Sequence, residues 1–131
     1  MASIFTKIIN KELPGYIIDE NQDFIAFLDI NPLTMGHSLI VPKKEIDHFF
    51  NLDDKILEDI LIFSKRISKA LKKTVECDRI GISVIGLEVP HAHLHLIPIN
   101  QEGDMNFTNE KIILSKNEFK NLLSRIKSNL D

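Results

Sequence analysis

The sequence holds a single cysteine, Cys77, so no disulfide can form within the chain and a reducing compartment is the expected setting. At the end of a helical run, that thiol reads as a structural group rather than a nucleophile. Basic residues are not in excess either. The 16 lysines and arginines stand against 19 aspartates and glutamates, for a net charge of -3. That balance argues against the basic face of a nucleic-acid binder and leaves room for a local anion pocket. No run approaches the roughly 20 apolar residues that a membrane span needs, and the opening residues up to Lys7 carry no apolar stretch of a secretory leader. The expected location is the cytoplasm, with neither nucleic acid nor membrane as partner. Repeats, low-complexity tracts and Ser/Gly linkers are missing too, so the 131 residues read as one domain with its own core.

What is present alternates short apolar runs with two long amphipathic ones. Residues 4–10 read as a short helix that stops before Leu13-Pro14-Gly15. Residues 16–19 and 24–28 read as strands separated by the polar turn Glu20-Asn21-Gln22-Asp23, and residues 37–41 as a third, closed by Pro42. Over residues 53–75, Ile56, Leu57, Ile60, Phe63, Ile67, Ala70, Leu71 and Val75 recur at helical spacing. Asn51 or Asp53 is placed to cap that helix. Residues 79–85 and 93–99 are further strands. Ser115 and Glu118 form a capping box before a last helix over 115–130. The expected fold is α+β, a five-stranded antiparallel sheet with two main helices.

The chemistry concentrates in His91-Ala92-His93-Leu94-His95-Leu96-Ile97. On a strand, alternate residues share a face. His91, His93 and His95 then line one side while Ala92, Leu94 and Leu96 pack on the core. Pattern alone admits three readings. The histidines can be a solvated strand face, ligands converging on a metal, or a nucleophile with its neighbours. In the last case one imidazole nitrogen attacks phosphorus while the other is held by a hydrogen bond, and the flanking rings supply positive character to the phosphate.

The chain resembles the histidine triad (HIT) superfamily of nucleotide hydrolases and transferases, on its bacterial Hint-like branch. His91 to Ile97 fits the His-φ-His-φ-His-φ-φ signature, where φ is apolar. The likeness extends over the stretches that begin at Ser3, at Phe24 and at Gly36, so the motif-bearing core is about residues 3–107. The resemblance implies that His93 is the nucleophile and forms a nucleotidyl-histidine. It implies that His91 and His95 orient it and contact the phosphate or leaving group, and that His37 supports the triad from a neighbouring strand. Asp29 would hold the ribose hydroxyls, while Ile30, Phe5 and Ile8 would flank the base. The implied ligand is a purine nucleotide or nucleotide conjugate, the implied assembly a homodimer with sheets joined across a two-fold axis. A nucleotide-binding regulator with vestigial turnover is the alternative.

Two departures from the family matter. Many bacterial members hold zinc with a Cys-x-x-Cys, a histidine after Pro-Lys-Lys and a triad histidine. Here Ser3, Thr6 and Glu45 stand at those places, and neutral hydroxyls are poor zinc ligands, so no metal and no cofactor is expected. The phosphoramidase branch has Gln-Ser where this chain has Leu87-Glu88. An anionic Glu88 beside the substrate would repel a phosphate. His48 reads as a surface or capping residue.

Overall fold

The computed structural model describes residues 2–131. Five strands, β1 (Ile17–Glu20), β2 (Phe24–Leu28), β3 (Ser38–Pro42), β4 (Arg79–Ser83) and β5 (Leu94–Ile99), form one sheet in the order β1-β2-β3-β5-β4. Every neighbouring pair is antiparallel. Three helices accompany it: α1 (Ile4–Ile9), α2 (Asp54–Thr74) and α3 (Lys116–Ser128). None is long and apolar enough to cross a membrane.

Local chemistry sets these elements. Asn21 closes the β1–β2 turn, its side-chain oxygen accepting from the backbone N–H groups of Asp23 and Phe24. Asp53 is the N-cap of α2 without a side-chain hydrogen bond, and Lys72 and Lys73 occupy the negative last turn. The capping box of Ser115 and Glu118 opens α3. The α2 stripe is buried at Ile60, Phe63, Ile67, Ala70 and Leu71, and α3 buries Phe119, Leu122 and Ile126 against it.

The sheet therefore has two different faces. Phe24, Ala26, Leu28, Ile40, Leu94 and Leu96 pack under α2 and α3. The opposite side chains Ile25, Phe27, Leu39 and Val41 form a smaller cluster that α1 closes with Phe5. This second face carries the histidines. Gly36 brings the chain into β3 with a φ of +90°, and a Cβ there would lie 3.0 Å from Val75 and 3.2 Å from Pro98. Only glycine fits that close approach, and it sets His37 directly before the strand. The sequence pattern begins the fifth strand at His93, whereas pairing begins at Leu94. Upstream, the Ala92 N–H goes to the Ile46 carbonyl at 2.6 Å and the His91 N–H to Val89 at 2.8 Å. These bonds fix the segment without a ladder.

Candidate active site

Four of the histidines are buried together. His37 and His91 are 1% and 0% exposed, His93 and His95 6% and 7%. The bland reading of a solvated strand face is thereby excluded. Nitrogens of these rings that are shut off from water need partners, and those partners fix where each proton sits.

His93 Nδ1 lies 2.7 Å from the carbonyl oxygen of His91. A carbonyl only accepts, so Nδ1 carries the proton and Nε2 holds a free lone pair. His37 Nδ1 accepts the Leu33 backbone N–H at 3.0 Å, so its own proton is on Nε2. That proton points to His95 Nδ1, 2.9 Å away, which leaves the His95 proton on Nε2. Two backbone groups thus set opposite tautomers on neighbouring rings, whose centroids are 5.0 Å apart. His93 offers a base or nucleophile and His95 offers a donor. Neither Nε2 has a hydrogen-bond partner among the described residues.

Burial is the main force on these groups. It pushes the His37 pKa down to about 4, with the Lys111 charge adding to the effect. It pushes His95 down to about 3, with His37 and His93 adding to it. His93 is lowered by burial as well, against the support of the His91 carbonyl. His37, His93 and His95 are therefore neutral at pH 7. The positive character expected of the flanking histidines from sequence is corrected for His95, because a desolvated imidazole gives up its charge. What His95 and His37 supply is oriented N–H groups.

His91 also departs from its expected role. Its ring has no free nitrogen: Nε2 donates to the Pro42 carbonyl at 2.7 Å and Nδ1 accepts from Ser3 Oγ at 2.7 Å. Fully buried and doubly engaged, the ring is not placed to contact a phosphate. It is the His91 carbonyl that holds the His93 ring.

Around these rings lie the other candidates. Asp29 is raised above the ordinary carboxylate range, chiefly by burial. One oxygen accepts the Asn31 N–H at 2.8 Å, as in a strand-ending turn, and the other lies 3.6 Å from His37 Nε2. Phe5 packs edge-on against His93 and His91, with centroids 4.9 and 5.9 Å away, and is buried in the smaller cluster. Ile8 packs partly buried on the same cluster, whereas Ile30 is 65% exposed. Glu88 is exposed, yet close enough for its charge to raise both Asp29 and His93. His48 is exposed and makes no capping bond. A small cavity of about 60 Å³ beside His93 is lined in part by His48, Phe49 and Gly86. A larger hollow of about 440 Å³ lies at Met35 and α3 and holds no histidine.

Two contributors escape the sequence reading. The Phe107 ring stands edge-on to His95 and His37, with centroids 4.8 and 6.2 Å away. Lys111 donates to the carbonyls of Phe107 and Asn109, and its charge pulls down both Asp29 and His37. They follow β5 in an irregular segment, where no periodicity marks a residue as site-facing.

Two clusters bear on metals. Asp29, His37 and His95 bring ligand atoms within 4.8 Å of one another. The Leu33 bond nevertheless places the His37 proton on the nitrogen that would have to bind, so this set is a hydrogen-bond relay. The second cluster is Ser3, Thr6, Glu45 and His91, the places of the family's zinc ligands. It offers two neutral hydroxyls, one carboxylate and an imidazole nitrogen that already accepts a proton. Such a donor set does not fit zinc.

Comparison with known proteins converges on one family. The HIT domain pattern matches residues 10–102. An uncharacterized HIT-like protein of Borreliella burgdorferi is 42% identical over 135 aligned positions, spanning 97% of both chains. The adenosine 5′-monophosphoramidase HNT1 of Saccharomyces cerevisiae is 38% identical across 77% of this chain and 65% of its own length. A HIT-like protein of Bartonella henselae, described as involved in cell-cycle regulation, superposes with a TM-score of 0.85 at 29% identity, covering 98% and 96% of the two chains. With a triad gathered on one sheet face and this agreement along most of its length, the chain belongs to the HIT domain family.

Proposed function

We propose that the protein is a nucleotide hydrolase or transferase acting at the α-phosphate of a nucleotide derivative, with His93 as nucleophile. The observation that carries this reading is the His93 ring. Its Nδ1–H is pinned by a backbone carbonyl and its Nε2 lone pair is free, beside the free N–H of His95. In the first step Nε2 attacks the α-phosphorus, a P–N bond forms and the bond to the leaving group breaks, an amine or alcohol departing with a proton taken up from solvent. The His95 N–H donates to the phosphoryl oxygens or to the departing atom, and the His91 carbonyl stabilises the charge that develops on His93. In the second step water attacks the phosphorus, the P–N bond breaks and a proton of the water is released to solvent, giving a nucleoside monophosphate and restoring the lone pair. The name of the yeast relative supports a phosphoramidate as one substrate class. Phosphate esters and dinucleoside polyphosphates share the same reacting centre. Incubation with adenosine 5′-phosphoramidate, followed by phosphorus NMR, tests the reading. AMP and ammonia are expected, and an unaltered substrate across all three classes would refute it.

Asp29 is assigned to the ribose of a purine nucleotide, since a carboxylate oxygen can accept from a vicinal diol. One of its oxygens also closes a turn, so Asp29→Asn is the informative change: it keeps that acceptor and removes the charge. Losing a charge-assisted hydrogen bond costs about 1.5–3 kcal/mol, so AMP binding should weaken about tenfold or more in calorimetric titrations. The unmodified protein should discriminate against 2′-deoxy-AMP, and equal affinities for the two sugars would remove Asp29 from the role. Phe5 and Ile8 would flank the base from α1, with Ile30 exposed at the rim.

A homodimer joined through β4 completes the proposal. This strand is one of the two sheet edges, and Ile82, Val84, Ile85 and Leu87 along and beyond it are 52%, 43%, 44% and 88% exposed. An unpaired edge with apolar side chains is an adhesive surface. Sedimentation should give a dimer, and Ile82→Lys should shift it to monomer. A monomeric parent would contradict this part of the proposal.

A further inference from the structure

The cluster around His91 has a consequence for the nucleophile. We propose that Ser3, Thr6 and Glu45 are positioning residues for His93, forming a metal-free clasp that ties the start of α1 to the triad through the His91 ring. The inference rests on the reading of His93 given above.

Its parts connect in sequence. Glu45 accepts the Ser3 backbone N–H at 2.7 Å and the Thr6 hydroxyl at 2.6 Å. These two bonds, in that order of weight, hold its carboxyl down to about 2. With the Thr6 proton so used, the Ser3 oxygen caps α1 by accepting the Thr6 N–H at 3.0 Å, and its own proton goes to His91 Nδ1 at 2.7 Å in preference to Thr6 Oγ1 at 3.3 Å. That contact bridges 88 positions of sequence and is buried. It forces the His91 proton onto Nε2, where the Pro42 carbonyl takes it. Both ends of the His91 ring are then anchored, and so is the peptide whose carbonyl holds His93 Nδ1–H. Phe5, the second residue of α1, packs against both rings.

Removing the Ser3 hydroxyl leaves a buried lone pair on His91. Thr6 Oγ1 is 3.4 Å from the same nitrogen, but its proton is held by Glu45 at 2.6 Å, so the ring answers by reversing its tautomer, which orphans the Pro42 carbonyl, or by shifting with its backbone. Either change loosens the carbonyl that keeps the proton off His93 Nε2. A His93 carrying its proton on Nε2 has no lone pair at the phosphorus.

The experiment uses the full chain labelled with ¹⁵N-histidine, reading ring tautomers by two-bond ¹H–¹⁵N correlation. In the parent, His93 should be the Nδ1–H form and His91 the Nε2–H form. Ser3→Gly is the decisive variant, because glycine caps a helix nearly as well as serine. In it His93 should become a mixture of tautomers, and kcat on adenosine 5′-phosphoramidate should fall about tenfold with little change in KM. Ser3→Thr, which restores a hydroxyl, should return both to parental values. Elemental analysis of untagged parent protein should find only a trace of zinc. A Ser3→Gly protein whose His93 keeps its parental tautomer overturns the proposal whatever its turnover, and so does a stoichiometric zinc in the parent. If the parent turns over none of the three substrate classes, the reading of His93 fails while the tautomer measurement still decides the clasp.

Discussion

Replacing His93 by alanine should lower turnover of adenosine 5′-phosphoramidate by on the order of 10³-fold or more, to the level of a blank. The size of the effect follows from the role. A group that forms the P–N bond cannot be replaced by a neighbour, because its loss removes a step instead of slowing one. The neighbouring rings cannot take over. His91 has both nitrogens committed, and His95 carries its proton on the only nitrogen free to reach a substrate. His95→Ala should by contrast leave measurable activity, since it removes a donor and keeps the lone pair. Progress curves with excess enzyme distinguish the two, and a His93→Ala protein with undiminished turnover would place the nucleophile elsewhere.

The second large effect is on stability in acid. His37 and His95 have pKa values of about 4 and about 3 in the fold, against 6.5 for a free side chain. A histidine depressed in the folded state stays neutral where the unfolded chain takes up a proton. The unfolded state therefore binds more protons below pH 6.5, and stability declines as pH falls. Their contribution is fully present above pH 6.5 and is lost through the window down to about pH 4 and then about 3. Each such histidine contributes a slope of about 1.4 kcal/mol per pH unit. Two together make a loss of several kcal/mol by pH 4, a large share of the roughly 5–15 kcal/mol of a typical domain. Urea unfolding at pH 7.5, 6, 5 and 4.5 should show a midpoint that falls steeply with acidification. A flat profile would mean that these rings are protonated in the fold and that the tautomer relay is wrong.

The two sheet faces explain how far the sequence could be read. The stripe from Ile60 to Leu71 and the Ser115/Glu118 capping box each depend on neighbours a turn or so away, so periodicity suffices to find them. The alternation of His91, His93 and His95 with small and apolar residues likewise announces a shared face, and Leu94 and Leu96 do pack under the helices. What alternation cannot show is which atom of a residue acts. His91 serves through its carbonyl, and His37 and His95 through tautomers set by a Leu33 N–H four residues away from His37. Charge state is also hidden, because it depends on burial that no local pattern records. Ser3, Thr6 and Glu45 read in sequence only as missing metal ligands. Their hydrogen bonds join positions 39 to 88 apart, which only the folded chain brings together. Phe107 and Lys111 lie outside the matched residues 10–102 in an irregular segment, and no motif points to them.

The central claim is that His93 carries the nucleotide through its Nε2 atom. The most direct measurement is a rapid acid-free quench during turnover of adenosine 5′-phosphoramidate, followed by intact-mass analysis and peptide mapping under alkaline conditions, where phosphorus–nitrogen bonds persist. An adenylyl group on His93 is predicted, lost on mild acid treatment. Two-bond ¹H–¹⁵N and ³¹P spectra of the trapped ¹⁵N-histidine protein should place the bond at Nε2. An adduct on His91 or His95, or a bond to Nδ1 of His93, would contradict the account.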